Sequence, residues 1–240
     1  MMKIEDLVSK YTARELASKI DHTLVKPSAT EDELKRVCLE AIEYGFVGCC
    51  VNPWYVDKAA EMLSGTGVKL VTVAGFPLGT QPVEIKLREL EVATSKGAEE
   101  VDVVMNIGAF KSGHMDYVKE ELTSLVDKAR ETGIILKVII ETSLLTDEEI
   151  EVASKLVKTV GAHFIKTNTG FGPRGVTLRD VYLIKKAIGD IPGLKVAGGI
   201  RHYIEAAVYL EMGAERIGTS TGVQIIKEYS VIRSLEEKGK

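Results

Sequence analysis

The chain has 240 residues, of which 45% are hydrophobic and 28% are charged, a composition typical of globular proteins. Its 31 Lys and Arg residues are slightly outnumbered by 35 Asp and Glu residues, and the net charge is -4. No basic run stands out, so the charge pattern indicates neither nucleic acid nor an anionic membrane as a partner, and it favours a small molecule.

The N-terminal stretch MMKIEDLVSKYTARELASKI alternates charged and apolar residues and lacks the apolar core of a signal peptide. No apolar run approaches the roughly 20 residues of a membrane span. We therefore expect a cytoplasmic protein. The three cysteines, Cys38, Cys49 and Cys50, fit buried free thiols better than disulfides or a zinc site. Asn and Gln are scarce in this chain, whereas Glu and Lys are abundant, a bias typical of proteins from hot habitats.

Short β-branched runs alternate with longer amphipathic stretches along the whole chain. Eight of these runs are predicted as strands, at residues 19–24, 46–51, 69–75, 100–106, 135–142, 163–168, 194–199 and 216–220. The stretches between them carry helix signals, such as Thr30 with Glu33 at the start of one helix and Gly45 at its end. Successive strands start roughly 22 to 35 residues apart, which is about the length of one βα unit.

Eight βα units predict an α/β fold, a single TIM (β/α)8 barrel. No linker or change of composition divides the chain, so we expect one domain over residues 1–240, with residues 1–18 as an extra N-terminal helix. A doubly wound open sheet is the alternative fold. It would usually place a Gly-rich turn after its first strand, and the segment IDHTLVKPS has none.

Charged residues late in the predicted strands are the candidates for chemistry, because the active site of a TIM barrel lies where its strands end. Strand alternation and barrel closure are expected to bring together Asp102, Lys137, Lys166 and Lys195. Asp21 lies in the first strand, and Glu141 is predicted to share the face of Lys137. A structural network of ion pairs is the alternative interpretation of this cluster.

The excess of lysine in this cluster favours chemistry. A nucleophilic lysine must lose its proton, which requires desolvation or a neighbouring cation, and Lys195 is the candidate for that cation beside Lys166. The neutral amine would then attack a carbonyl group and form a Schiff base. The sequence thus predicts covalent catalysis on a carbonyl compound.

Gly-rich segments follow the last three strands: TGFG at 169–172, GGIRHY at 198–203 and GTSTG at 218–222. Glycines allow backbone N–H groups to approach an anion, a helix N-terminus favours negative charge, and the loops after strands 7 and 8 are the usual phosphate site of this fold. We therefore predict a phosphorylated substrate.

The four histidines lack the spacing of metal ligands, and no nucleotide-binding motif is present, so neither a metal nor another cofactor is expected. His22, near the end of the first strand, is expected to be structural, with a contact to substrate as the alternative.

Five segments in this order, EVDVVMNIGAF, LKVIIETSLL, FIKTNTGFGPRGVT, LKVAGGIR and IGTSTG, resemble the deoxyribose-phosphate aldolase family, which are class I aldolases on a TIM barrel. The resemblance covers nearly the whole chain, from about IDHTLVKP to GTSTG. It implies reversible cleavage of 2-deoxy-D-ribose 5-phosphate to D-glyceraldehyde 3-phosphate and acetaldehyde, without a metal, in a homodimer or homotetramer.

The resemblance also implies roles for individual residues. Lys166 corresponds to the Schiff-base lysine, and Asp102 and Lys195 correspond to the pair that handles protons. Supporting positions are Lys137, Asp21 and Thr169. Positions implied to contact phosphate are Gly170, Gly198, Gly199, Ser220 and Thr221.

Two departures from the family pattern bear on these roles. Many relatives have a lysine at the position of Phe171 and a second serine at that of Thr221, so phosphate would depend more on backbone N–H groups here. Some relatives end in a tyrosine that reaches the site, whereas this chain ends LEEKGK. Two other functions remain open: a Schiff-base aldolase for a larger sugar phosphate, and a catalytically silent barrel that binds a phosphosugar.

Overall fold

Eight parallel strands close into a barrel in chain order in the computed structural model, which describes residues 10–238. The strands are β1 (Ile20–Leu24), β2 (Gly48–Val51), β3 (Lys69–Ala74), β4 (Glu100–Val104), β5 (Ile135–Ile139), β6 (Phe164–Lys166), β7 (Gly193–Ala197) and β8 (Arg216–Thr219). The barrel is closed by pairing of β1 with β8. All eight predicted strands are present, and the predicted TIM barrel is confirmed over a doubly wound sheet.

Helices connect successive strands and cover the outside of the barrel. They are α1 (Ala13–Ala17), α2 (Glu31–Tyr44), α3 (Val56–Leu63), α4 (Val83–Ser95), α5 (Ile107–Lys111), α6 (Met115–Thr132), α7 (Asp147–Val160), α8 (Leu178–Ile188), α9 (Tyr203–Glu211) and α10 (Gly222–Lys238). The helix α1 precedes β1 and lies in the predicted N-terminal extension, whose residues 1–9 fall outside the described residues. No helix in the described range is long and apolar enough to cross a membrane.

The predicted helix signals act where the sequence places them. The Thr30 side chain accepts a hydrogen bond from the N–H of Glu33, whose carboxylate accepts one from the N–H of Thr30, so a capping box begins α2. Gly45 ends that helix with a left-handed φ of 67°. The same capping box, at Thr146, begins α7. These local signals fix the length of each βα unit.

Strands β5 and β6 end earlier than predicted, at Ile139 and Lys166. Beyond β5, Glu141 has a left-handed backbone with a φ of 53°, an unusual conformation for a residue other than glycine. The prediction that Glu141 shares a strand face with Lys137 is therefore wrong, because strand alternation does not continue to residue 141. Both early endings leave polar residues free to turn toward the mouth of the barrel.

The barrel interior is apolar on one side and charged on the other. Cys50, Val71 and Val73 form a small buried cluster on β2 and β3, whereas the charged side chains come from the remaining strands. Glycine leaves room for those charges: a Cβ added at Gly48 would lie 2.5 Å from Oδ1 of Asp21. All three cysteines are buried free thiols, as predicted.

Candidate active site

Lys166 is the last residue of β6 and lies at the C-terminal end of the barrel. The residue is 4% exposed and lines a cavity of about 320 Å³. The loops after β1, β6, β7 and β8 form the walls of this cavity. Within the described residues, Lys166 is the one member of the predicted lysine cluster that lines it. A molecule in the cavity can therefore reach this amine directly.

Three lysines converge on the carboxylate of Asp102. The Nζ of Lys166 lies 2.8 Å from Oδ2, and the Nζ of Lys195 lies 2.7 Å from the same oxygen. The Nζ of Lys137 lies 3.0 Å from Oδ1. Asp102, Lys137 and Lys195 are fully buried. The structure thus brings together the four residues that strand alternation predicted to meet.

The charges of this cluster fix the protonation of two of its members. Burial alone would raise the pKa of Asp102, but Lys137, Lys166 and Lys195 outweigh it and hold that pKa well below its ordinary value. Burial alone would lower the pKa of Lys195, but Asp102 and Asp21 outweigh it and raise that pKa. Asp102 is therefore an anion in the free protein, and Lys195 is a cation.

Asp21, in β1, lies behind Lys195. Its Oδ2 is 2.5 Å from the Nζ of Lys195, and its Oδ1 is 2.7 Å from a guanidinium nitrogen of Arg216. Burial opposes ionisation, but the cations Lys195, Lys137 and Arg216 prevail and lower the pKa of Asp21 to about 2. Asp21 therefore fixes the position and the charge of Lys195.

Thr169 lies on the cavity wall, where the buried carboxylate of Glu141 holds it. The N–H and the hydroxyl of Thr169 both donate to Oε2 of Glu141, at 2.9 and 2.6 Å. The Oγ1 of Thr169 also accepts a hydrogen bond from the N–H of Phe171 at 3.0 Å. Because the hydroxyl proton is committed to Glu141, Thr169 can offer a ligand only an acceptor lone pair. The sequence did not identify this anchoring role of Glu141, since the left-handed turn has no signal in the residue itself.

The glycine-rich wall contains most of the positions implied to contact phosphate. Gly170, Gly198 and Gly199 line the cavity and have positive φ angles of 90°, 104° and 83°. Ser220 lines it as well, whereas Thr221 lies beside it with Oγ1 3.0 Å from Oγ1 of Thr219. The N–H groups of Gly170, Gly199 and Ser220 donate to no protein acceptor within the described residues. They are consequently available to an anion.

The start of α9 is less available to an anion than the sequence suggested. A side-chain oxygen of Glu205 accepts hydrogen bonds from the N–H groups of Arg201 and His202, and Glu228 accepts one from Tyr203. Two carboxylates therefore already occupy this helix end. The Gly-rich turn before α9, rather than the helix end, remains for a phosphate.

Two cations on the cavity wall were not singled out from the sequence. Lys26, after β1, and the exposed Arg201, after Gly199, both line the cavity. The Nζ of Lys26 also pairs with Glu33 at 2.5 Å. Phe171 packs edge-on against Phe76, with ring centroids 5.6 Å apart, and brings no charge to the rim. Positive charge at the mouth is consequently concentrated on the side of the β1 and β7 loops.

His22 lies away from the cavity. The side chain is buried, and its Nε2 is 2.7 Å from a carboxylate oxygen of Glu40 on α2. This placement fits the structural role expected for it. Among residues 10–238, no group of three or more His, Cys, Asp or Glu side chains is arranged to hold a metal ion.

Comparisons with known proteins agree on one family for this chain. Residues 16–228 match the family model described as DeoC/LacD family aldolase. The chain is 51% identical over 215 residues to a deoxyribose-phosphate aldolase of Caldanaerobacter subterraneus subsp. tengcongensis, an alignment that covers 89% of this chain and 93% of that protein. It is 49% identical to a deoxyribose-phosphate aldolase of Thermococcus gammatolerans, with coverage of 89% and 96%.

A solved relative has the same fold over almost its full length. The deoxyribose phosphate aldolase of Aeropyrum pernix, described as having a unique tetrameric structure, superposes with a TM-score of 0.87 at 32% identity. The superposition covers 96% of this chain and 100% of that one. The similarity therefore includes the whole barrel and not a fragment of it.

Proposed function

Because the chain belongs to the DeoC/LacD family of aldolases, we propose that it reversibly cleaves 2-deoxy-D-ribose 5-phosphate to D-glyceraldehyde 3-phosphate and acetaldehyde through a Schiff base on Lys166. One observation carries this assignment: within the described residues, Lys166 is the one lysine of the buried cluster that lines the cavity, while its charged partners lie buried behind it. A nucleophilic lysine needs this combination of access and desolvation.

The reaction begins when the neutral amine of Lys166 attacks the C1 aldehyde of the open-chain sugar. A proton from the donor Lys195 lets the carbinolamine hydroxyl leave as water and gives a protonated imine, and the anion Asp102, 2.8 Å from Nζ, stabilises its positive charge. The C2–C3 bond then breaks, and its electron pair passes into the imine to give an enamine. The C3 hydroxyl loses its proton and departs as the aldehyde of D-glyceraldehyde 3-phosphate.

Protons move in two further steps. The enamine gains a proton at C2, and water then hydrolyses the imine to release acetaldehyde and the free amine. We assign Asp102 as a proton acceptor and Lys195 as a proton donor, because their shifted pKa values make them an anion and a cation in the free protein. Lys137 and Asp21 hold these two groups in place. Asp102 and Lys195 are fully buried. Their protons therefore reach the substrate past Lys166, which lines the cavity, or through water that enters with the substrate.

The phosphate binds on the glycine-rich wall in this proposal. The N–H groups of Gly170, Gly199 and Ser220 donate to it, Gly198 lets the backbone approach closely, and Thr221 supports the turn. Arg201 and Lys26 supply the positive charge that Phe171 does not. Thr169 accepts a hydrogen bond from a hydroxyl group of the sugar.

The assembly is proposed to be a homodimer or homotetramer, for which the tetrameric relative from Aeropyrum pernix is the support. We further propose that residues 1–240 form one aldolase domain, since the family match spans residues 16–228 without a break. Cytoplasmic location stays a prediction from the sequence.

Product analysis tests this function. Purified protein incubated with 2-deoxy-D-ribose 5-phosphate should release acetaldehyde and D-glyceraldehyde 3-phosphate in equal amounts. The Lys166→Arg variant should lose nearly all of this turnover, because its guanidinium stays protonated and cannot form an imine. Lys186→Arg, an exposed change on α8, is the matched control. Absence of acetaldehyde with the wild type, or near-normal turnover by Lys166→Arg, would overturn the proposal.

A further inference from the structure

The charged cluster behind Lys166 continues through the barrel and closes on itself. Arg216 in β8 links Asp21 to Glu100: its NH1 is 2.7 Å from Asp21, and its NH2 is 3.0 Å from Glu100. The other oxygen of Glu100 lies 2.6 Å from the Nζ of Lys137. With the contacts to Asp102 described above, these pairs form a closed ring of alternating charge, which we call the ionic ring: Asp102, Lys195, Asp21, Arg216, Glu100 and Lys137.

The charges of the ionic ring balance without Lys166. Three carboxylates alternate with three cations, so the ring is neutral, and Lys166 is attached to it as a seventh group through Asp102. A protonated Lys166 therefore leaves one surplus positive charge on a buried cluster, and a neutral Lys166 leaves none. Excess charge in a low-dielectric interior is costly. The charge of the ring thus bears on whether Lys166 carries its proton, and imine formation requires the amine without it.

We propose that Glu100 and Arg216, which lie at the far end of the ionic ring from the cavity, act as positioning residues that set the protonation of Lys166 through the charge of the ring. The inference rests on the proposed role of Lys166 as the nucleophile. Neither Glu100 nor Arg216 lines the cavity, so they act without touching the substrate.

The distance is short enough for this effect. Lys166 is in register with Lys195, and Lys195 is in register with Arg216, so two strand spacings, roughly 10 Å, separate the backbones of Lys166 and Arg216. At an effective dielectric constant of about 20, one unit charge at that distance shifts a titration by about one pH unit. Glu100 is 3% exposed, and the side chain of Arg216 is 14% exposed. Solvent therefore screens the charges of these two residues only weakly.

Other groups that face Lys166 do not provide the same control. β2 contributes Cys50. Burial raises the pKa of its thiol to about 11, so the thiol stays neutral at pH values near neutrality. β3 contributes the apolar Val71 and Val73, and its first residue, Lys69, is exposed and pairs with Glu99. Glu141 acts through Thr169, and the cavity wall adds Lys26 and Arg201. The ionic ring is thus the set of charges in direct ionic contact with Lys166, through Asp102, and single substitutions can change its balance.

Substitutions of opposite sign test the proposal. The rate of reductive trapping with acetaldehyde and cyanoborohydride, measured against pH on the peptide that contains Lys166, reports imine formation at this amine without any contribution from phosphate binding. Glu100→Gln removes an anion, so the midpoint of the profile should move to lower pH by about one unit. Arg216→Met removes a cation, so the midpoint should move to higher pH by a similar amount. The double variant restores neutrality and should return the midpoint to that of the wild type.

Two controls separate charge from structure. Arg216→Lys retains the positive charge and should leave the midpoint in place, whereas a purely structural role would make it behave like Arg216→Met. Glu99→Gln makes the same chemical change one residue earlier, at an exposed pair with Lys69, and should not move the midpoint.

The outcomes distinguish this inference from the function on which it rests. If the wild type is not trapped at all, the proposed function fails. If the wild type is trapped but the isosteric Glu100→Gln variant keeps the wild-type midpoint, the inference is wrong and the function stands. Should Arg216→Met fail to fold, Glu100→Gln decides alone. Shifts of the same sign in both single variants would also contradict it.

Discussion

Arg201 is one of the two exposed cations that the structure adds to the predicted phosphate site. It follows the Gly198–Gly199 turn and lines the cavity, where its charge would act together with the unpaired N–H groups of the wall. Its side chain lies outside the barrel interior and touches none of the ionic ring. Its contribution is therefore expected in substrate affinity and not in the chemical step.

The substitution Arg201→Gln should raise KM for 2-deoxy-D-ribose 5-phosphate by about tenfold, because one charge-assisted contact to phosphate is lost. The KM for unphosphorylated 2-deoxyribose should hardly change. Steady-state kinetics on both substrates measure the difference, and Arg179→Gln on the outer surface serves as the control. Equal losses on both substrates would show that Arg201 does not contact the phosphate.

The loop between β6 and α8 is held in place by Glu141, a residue that follows the neighbouring strand β5. The sequence predicted β6, the inward direction of Lys166 and the Gly-rich loop, because these depend on strand alternation and glycine content. It did not predict that Glu141, 28 residues earlier than Thr169, would turn left-handed and hold the loop. That arrangement depends on a tertiary contact between the ends of β5 and β6, which no local pattern records.

The substitution Glu141→Gln should therefore lower kcat/KM by about tenfold or more while the barrel stays folded. Four donors, from Thr169, Asn168 and Ser143, surround this side chain, two on each oxygen. The amide nitrogen of glutamine can donate but not accept, so the two donors that share the replaced oxygen lose their acceptor. Glu148→Gln, an exposed change in the first turn of α7, is the matched control. A kcat/KM equal to that of the control would refute the anchoring role.

A second buried pair, Lys86 with Glu121, joins the elements around the end of β4. The Nζ of Lys86 is 2.7 Å from Glu121 and donates to the carbonyl oxygens of Gly79 and Val104. Burial lowers the pKa of Lys86, and Glu121 opposes that shift. Both side chains are fully shielded from solvent, so the pair is not screened as a surface salt bridge is.

The substitution Lys86→Met should destabilise the protein by about 3 to 5 kcal/mol, because it leaves a buried carboxylate without its cation. Urea unfolding measures the loss, and the double variant with Glu121→Leu should recover part of it. Lys58→Met, at an exposed pair with Glu31, gives the surface reference. A loss below about 1 kcal/mol for Lys86→Met would mean that the pair contributes no more than a surface contact.

At the scale of the whole molecule, closure of the barrel determines which charges meet. Strand patterns predicted that Asp102, Lys137, Lys166 and Lys195 point inward, and the structure confirms this meeting. The same patterns did not assign partners to Glu100 or Arg216. The pairing of β1 with β8 brings Arg216 to Asp21 and so closes the ionic ring. This register is a property of the complete barrel, and no single segment of the sequence contains it.

The ionic ring also links the stability of the barrel to pH. The pKa of Asp21 falls from 3.8 to about 2 on folding, and that of Asp102 is also lowered. A carboxyl group with a lowered folded pKa contributes stability above its unfolded pKa and loses it as the pH falls through the folded value. The free energy of unfolding should thus decline by about 2 kcal/mol for Asp21 between about pH 4 and pH 2.

Urea unfolding at a series of pH values checks this dependence, and Asp21→Asn is the informative variant. The variant lacks the titrating group, so its stability should decline less steeply over the same acidic range, whatever its stability at neutral pH. An exposed counterpart, Asp57→Asn at the pair with Lys96, should keep the wild-type slope. If Asp21→Asn also keeps that slope, Asp21 is not a source of the acid sensitivity.

The most direct test of the account is to locate the imine. The wild type is treated with 2-deoxy-D-ribose 5-phosphate and borohydride, digested, and sequenced by tandem mass spectrometry, so that the reduced adduct marks the attacking amine. We expect a single adduct on Lys166, with Lys195 and Lys137 unmodified because they are fully buried and held by carboxylates. An adduct on either of these lysines in place of Lys166, or turnover without any adduct, would contradict the account.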